Sequence, residues 1–314
     1  MALNEKGIVY RACRKIRKYI GENILKGRFP SAYAHYYYWK SLRKELDWNN
    51  PKDINEKLFW LARFWQDPRI VTCADKLAVR DYIKGLGLEY LLTKVYAVYN
   101  SVDEIDFSKL PKQYVLKTNH LGGGTHMVIH REGAPLDEDK ARKLIEDGLK
   151  ETIGAETAEY QYLYIPHKAY TEELIPDDKM EIQFFCFNGE PRHILLRNDL
   201  GDAQGGFAIS YDMNWNRVKD RIVEDMNIDM PRPKQLDELI EVARKLAAPF
   251  PQVRVDMYFT KERIYFGELT FSTSGNILWN YPVETRLRWG QELILPNKLK
   301  TKWCKVYESQ LKKR

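Results

Sequence analysis

Two carboxylates interrupt one of the most apolar stretches of the chain. Residues 253–276 read VRVDMYFTKERIYFGELTFSTSGN. Two runs rich in β-branched and aromatic residues, Val253–Phe259 and Ile264–Phe266, flank a short polar turn from Thr260 to Arg263. That pattern predicts a β-hairpin with largely buried strands. Asp256 lies in the first strand and Glu268 at the end of the second. A buried carboxylate without a partner is very costly, so it is normally paired or bound to a metal. Two carboxylates on neighbouring strands can converge and hold a hard cation such as Mg²⁺ through oxygen. The plainer reading has both facing solvent.

Two lysines could complement them. Lys76 sits in CADKLAVRDYIKGLG, residues 73–87. Asp75 is placed to cap a following helix that Gly85 and Gly87 end. Lys76 then falls in the first turn, where a helix N-terminus favours anions, and a cation there fits if it serves one. A surface lysine is the alternative. Residues 91–117 read as strand, loop, strand, with Leu91–Val98 first and Tyr114–Leu116 second, ending at Lys117. TNHLGGGTHMVIH follows, so Gly122, Gly123 and Gly124 lead from this strand to another at Met127–His130. Strand–glycines–strand is a hairpin, unlike the strand–glycines–helix of a P-loop or Rossmann turn. Such glycines let backbone N–H groups approach phosphate oxygens. With Lys117 at its base the loop reads as a flap over a triphosphate, or more simply as a flexible tip. His120 and His126 flank it and could contact phosphate, but read more simply as flap surface residues.

The elements that must position these groups are legible in outline. Residues 31–65 hold many aromatics, and Asn55-Glu56-Lys57 opens a helix that buries Leu58, Leu61 and Trp65. Residues 137–153 form a charged amphipathic helix. Ala169–Ile175 is a strand carrying Glu172 and Glu173. Glu181–Phe187 and Arg192–Arg197 form a hairpin through Asn188-Gly189, a strong turn signal. Arg197 ends a strand expected to face the cleft and is a candidate to bind an acceptor carboxylate, with a surface salt bridge as the alternative. His193, on the same strand, reads as structural rather than as a general base. Residues 201–206 form a polar loop. Residues 235–248 are a helix with one apolar stripe, stopped by Pro249. Residues 8–20 have helical spacing and crowded basic residues: a solvated helix, or one that meets a membrane surface or a partner. The C-terminus is a short basic helix.

The chain has 314 residues, of which 44% are hydrophobic and 30% charged, which are globular values with room for two or three lobes. The net charge of +6 is spread along the chain, which suits an anionic ligand without singling out nucleic acid. The four cysteines are far apart and the six histidines lack metal-ligand spacing, which fits a reducing compartment. No apolar run reaches the length of a membrane span and the N-terminus has no secretory h-region. The expectation is a cytoplasmic protein.

The order of these features, and the wording ADKLAVRDYI, YVLKTNHLGGG, EIQFFCFNGEP, VRVDMY and IYFGELTF, resembles the TupA-like branch of the ATP-grasp superfamily over about residues 50–297. The resemblance implies an α+β ATP-grasp fold, two lobes with antiparallel sheets clamping ATP, preceded by a mainly helical region at residues 1–70. It implies a glycine-flap lobe at about 113–168, a hinge at about 169–176 and a metal-binding lobe at about 177–297, within an ATP-grasp domain spanning 71–314. Lys76 and Lys117 correspond to the lysines that touch the α- and β-phosphates, and Gly122, Gly123, Gly124 and Thr125 to the flap. Glu172, Glu173 and Leu174 correspond to the hinge that pairs with adenine, and Asp178 to the acidic residue for the ribose. Asp256 and Glu268 correspond to the Mg²⁺ ligands, and Arg254 to an arginine that steadies the transferring phosphate. Thr270 stands in the slot that many relatives give to asparagine, and Gln183 where relatives often have lysine. The implied activity is an ATP- and Mg²⁺-dependent carboxylate–amine ligase, in cell-surface polysaccharide assembly such as capsule or teichuronopeptide. Its partners would be a small or sugar-linked carboxylate and an amine. A phosphotransferase is the main alternative and a non-catalytic nucleotide-binding scaffold the third.

Overall fold

The computed structural model describes residues 15–16, 19–20, 30–122, 124, 126–198, 206–223 and 229–299. Most of the basic helix expected at 8–20, Gly123 and Thr125 of the flap, nearly all of the 201–206 loop and the C-terminal basic segment lie outside the described residues.

Two antiparallel sheets carry the architecture. The first has four strands, β1 (Val95–Tyr99), β2 (Tyr114–Thr118), β3 (Met127–His130) and β4 (Ala169–Glu172), in the order β1-β4-β2-β3. The second has five, β5 (Met180–Phe187), β6 (Glu190–Arg197), β7 (Ala208–Tyr211), β8 (Gln252–Phe259) and β9 (Ile264–Thr270), in the order β7-β6-β5-β8-β9. The β5–β6 hairpin turns on Asn188 and Gly189, whose φ values of 54° and 82° are the left-handed pair that a tight two-residue hairpin turn demands.

Seven α-helices are described: α1 (Pro30–Leu42), α2 (Ile54–Phe64), α3 (Pro68–Ala74), α4 (Val79–Gly85), α5 (Glu138–Lys150), α6 (Leu236–Ala247) and α7 (Val283–Glu292). The stripe Leu236, Leu239, Val242, Ala243, Leu246 and Ala247 of α6 is buried and packs on β5, β6 and β8. Strand alternation sends Ile182, Phe184, Val255 and Met257 to that apolar face. The polar residues between them, Glu181, Gln183 and Asp256, therefore point to the opposite face. In the same way α5 buries Ala141 and Ile145 and packs against β2 and β3.

Helix α2 opens with a capping box between Asp53 and Glu56. Its apolar residues join the main core, which runs on through α7 to Leu293. Asn55 Oδ1 accepts the Leu278 amide at 3.1 Å, and Lys57 Nζ donates to the Leu293 carbonyl at 2.6 Å. Residues before 71 thus share a core with residues near 290.

The strand expected at Leu91–Val98 is displaced. Residues Glu89–Leu91 form a 3₁₀ turn and the strand begins at Val95. The reason lies in the backbone partners. The carbonyls of Tyr90 and Leu92 accept from Arg263, and that of Thr93 accepts from Arg80, so this segment is fastened by arginines rather than by a ladder. Among the described residues no helix is long and apolar enough to cross a membrane.

Candidate active site

The acidic pair is aimed by a bulge. Asp256 lies opposite Glu268, but the next residue, Met257, lies opposite Phe266, so Gly267 is extra. A Cβ on Gly267 would sit 2.7 Å from the Asp256 carbonyl oxygen, so the close approach requires glycine. The extra residue lets Asp256 and Tyr258 of β8 share a face with Glu268 and Tyr265 of β9 despite the break in register. Gln183 is opposite Asp256, and Glu181 is opposite both Tyr258 and Arg197. One face thus collects Glu181, Gln183, Arg197, Arg254, Asp256, Glu268 and Thr270.

Arg254 ties the centre together. Its Nε lies 2.7 Å from Asp256 Oδ1 and its Nη2 lies 2.5 Å from Oδ2, a two-pronged pair. The same Nη2 is 3.2 Å from Thr270 Oγ1 and 3.4 Å from Glu268 Oε1. Thr270 donates its hydroxyl to Glu268 at 2.9 Å. Lys76 Nζ is 3.6 Å from the other Glu268 oxygen. Gln183 Nε2 donates to Glu181 at 2.5 Å, and Arg197 Nε is 3.3 Å from Glu181. Burial pushes the Asp256 carboxyl up to about 7, with Arg254 pulling the other way and Glu268 and Glu181 adding to the rise. Burial also opposes ionisation of Glu268, but Lys76 and Arg254 more than offset it and hold that carboxyl down at about 2.

Lys76 does not sit in the first turn of a helix, as the sequence suggests. Asp75 caps the C-terminus of α3, and its carboxylate accepts the amides of Leu77 and Ala78 in the turn before α4 begins at Val79. Asp75 also takes Asn119 Nδ2 at 2.9 Å, while the Lys76 amide donates to the Asn119 carbonyl at 3.1 Å. Lys76 is therefore anchored to the end of β2 in one sheet and reaches Glu268 in the other.

Lys117 stands on β2 opposite Tyr170. Its Nζ is 2.5 Å from Glu172, whose second oxygen accepts Thr93 Oγ1 at 2.6 Å. Burial opposes its charge, but Tyr170 and Glu172 hold the lysine pKa above its usual value. Tyr258, on the Asp256 face of β8, also lies within electrostatic reach of Lys117. The structure thus joins Lys76 to Glu268 directly and Glu268 to Asp256 through Arg254, and sets Lys117 on the other sheet.

At the expected hinge, the Glu173 amide donates to the Lys94 carbonyl at 2.8 Å, and its carboxylate takes the Lys94 amide and lies 3.6 Å from Arg263. Leu174 follows half-buried, and Asp178 is exposed in the next turn. Gly122 is exposed and Gly124 has φ 70° in the β2–β3 connection. His120 is not a flap surface residue. It is 1% exposed, its ring lies 3.6 Å from that of His167 and nearly parallel, and Nε2 is 3.0 Å from the Glu151 carbonyl. His126 is 3.3 Å from the Glu151 carboxylate. His193 stacks on Trp289 and bonds to Glu292 at 2.8 Å, a packing role as read from sequence.

Sequence reasoning passed over Glu181, which alternates with Gln183 in an otherwise apolar strand, the one signal that could have exposed it. It also passed over Glu159, 2.6 Å from Ser272 Oγ, and Tyr162, both electrically coupled to Glu268.

The donor set fits a magnesium ion. Two carboxylates and a hydroxyl on adjacent strands are hard oxygen donors, and the Asp256 carboxyl stays high despite its arginine, so the face can accept more positive charge. Among the described residues no three acidic, His or Cys side chains converge to make a complete cage. Mg²⁺ commonly takes one or two carboxylates and fills its shell with water and substrate phosphates.

Two antiparallel sheets, with a lysine of the first facing an acid–arginine cluster on the second, define an ATP-grasp protein. More narrowly, the chain belongs to the TupA-like ATP-grasp family, whose model matches residues 56–294. No curated protein matches it. Among solved structures it is similar to D-alanine–D-alanine ligase from Bacillus anthracis complexed with ATP, at 15% identity and TM-score 0.44, covering 76% of this chain and 68% of that one. It is also similar to L-amino acid ligase from Bacillus licheniformis, at 13% identity and TM-score 0.45, covering 94% of this chain and 64% of that one. N5-carboxyaminoimidazole synthetase from Staphylococcus aureus is similar at 14% identity and TM-score 0.42, with 72% and 53% covered.

Proposed function

We propose that the protein is an ATP-dependent carboxylate–amine ligase that forms an amide through an acyl phosphate. The observation that carries this reading is the meeting of Lys76, Arg254, Asp256, Glu268 and Thr270 on one face, with Lys117 opposite. A carboxylate oxygen of the substrate attacks the γ-phosphorus and ADP leaves. An amine then attacks the acyl carbon, phosphate departs, and the nitrogen loses a proton. Such a reaction needs positioning and charge compensation more than covalent help. Lys76 and Lys117 would hold nucleotide phosphates, and Arg254 would pass from Asp256 to the transferring phosphoryl group. Asp256, Glu268 and Thr270 would hold Mg²⁺, which when bound neutralises charge between the phosphates. The backbone at Glu172, Glu173 and Leu174 would border the adenine, with Asp178 near the ribose. Gln183 keeps Glu181 in place, and Arg197 would meet the acceptor. The glycine flap would close against water, which would otherwise hydrolyse the acyl phosphate. A role in cell-surface polysaccharide assembly, with a sugar-linked acid as substrate, is the part of this proposal that the resemblance implies.

Hydroxylamine tests the reading. In a panel of uronic and amino acids with Mg·ATP, an acid that stimulates ADP release should yield a hydroxamate. A phosphorylated product that hydroxylamine never intercepts would make the protein a phosphotransferase.

A further inference from the structure

A second cleft, of about 440 Å³, opens near the β6–β7 side of the larger sheet. It is lined by Arg192, His193, Asp212, Lys219, Asp220 and Arg288. That volume suits a small ligand. Its charges are unequally committed. Asp212 is spent on its own loop, where it accepts the amides of Asn214 and Asn216 at 2.9 and 2.8 Å and the Asn216 side-chain amide at 2.9 Å. Asp220 is 2% exposed, is bound by the Arg288 guanidinium and lies 3.6 Å from His193 Nδ1. His193 is further fixed by Glu292. Arg192 and Lys219 are exposed and pair with no carboxylate among the described residues. The acidic lining is thus internally satisfied, while two cations remain open to a ligand.

The position adds meaning. His193 is opposite Phe185, which is opposite Arg254. With strands ~4.8 Å apart, His193 lies about 10 Å from Arg254, and between them Phe185 is 3% exposed and packs on Tyr281 and Trp289. We propose that this cleft binds a small oxyanion, a carboxylate or a phosphate, at a site separate from the one built around Asp256 and Glu268. Anion binding here rests on the cleft alone and stands apart from the ligase reading.

The test titrates inorganic phosphate and, separately, malonate into the full chain loaded with Mg²⁺ and a non-hydrolysable ATP analogue, with heat as the readout. One of the two anions should bind, and which one does distinguishes a phosphate from a carboxylate ligand. Arg192→Gln with Lys219→Gln should weaken that binding at least tenfold with an unchanged Tm, because both side chains are exposed. Lys84→Gln with Lys143→Gln, on α4 and α5, carries the same charge change and should bind as the wild type does. The proposal is overturned if neither anion binds, if the cleft variant binds normally, or if the control loses as much. Should the nucleotide itself fail to bind, the ligase reading falls, and the titration without nucleotide still reads the cleft.

Discussion

On the four-stranded sheet Lys117 and Glu172 form a closed pair, whereas on the five-stranded sheet Glu181, Asp256 and Glu268 share Arg254 and Lys76, with Arg197 at the margin. The first arrangement satisfies both charges and a threonine besides. The second leaves Asp256 short of positive charge although an arginine grips both of its oxygens. A matched pair holds a lysine ready in one orientation. An under-compensated cluster can exchange its internal arginine for an incoming cation. In the proposed reading, the difference separates a phosphate-contacting role from a metal-holding one.

The largest effect should come from the under-compensated side. Glu268→Gln keeps the shape of a half-exposed side chain and removes a charge, so ATP turnover should fall about 10³-fold with the fold intact by circular dichroism. Retained turnover would erase the contrast. Next, Lys117→Met strands Glu172 as a buried carboxylate and should cost about 3 kcal/mol in denaturant unfolding. Adding Glu172→Met should recover most of that loss, because an apolar pair can replace a buried ion pair. No recovery in the double variant would mean that the pair is not closed.

A third effect concerns His120, on the four-stranded side. Burial holds its pKa down at about 4, against an ordinary 6.5. The folded state therefore resists protonation that the unfolded chain accepts. Its contribution to stability is intact above pH 6.5 and is lost as pH falls to about 4, by up to about 3 kcal/mol. His120→Gln should flatten that part of the stability–pH curve, and an unchanged slope would place the titration elsewhere. The smallest effect sharpens the contrast most finely. Arg254→Met uncovers the carboxylates, so 10 mM Mg²⁺ should raise its Tm by a few degrees, equivalent to about 1 kcal/mol of linkage. The same addition should leave Lys117→Met unmoved.

The hairpin with Asp256 and Glu268, the Asn188-Gly189 turn and the apolar stripe of α6 were legible because each rests on local periodicity or turn chemistry. What escaped depends on distant partners. The run at residues 91–94 looks like a strand until Arg80 and Arg263 claim its carbonyls. Lys76 looks helical until Asp75 spends its carboxylate on the intervening turn. His120 resembles a loop residue, yet a second histidine 47 positions away stacks upon it. The bulge at Gly267 is visible only once both strands are in register. The cleft between Arg192, Lys219 and Arg288 is assembled from three separate segments, which no local pattern announces.

Calorimetric titration of a non-hydrolysable ATP analogue, with and without Mg²⁺, tests the site most directly when wild type and Glu268→Gln are run side by side. Wild type should bind at least tenfold more tightly with the metal present, and Glu268→Gln should lose that gain while still binding the nucleotide weakly through Lys76 and Lys117. Equal magnesium dependence in the two proteins would contradict the assignment of the acidic pair to the metal.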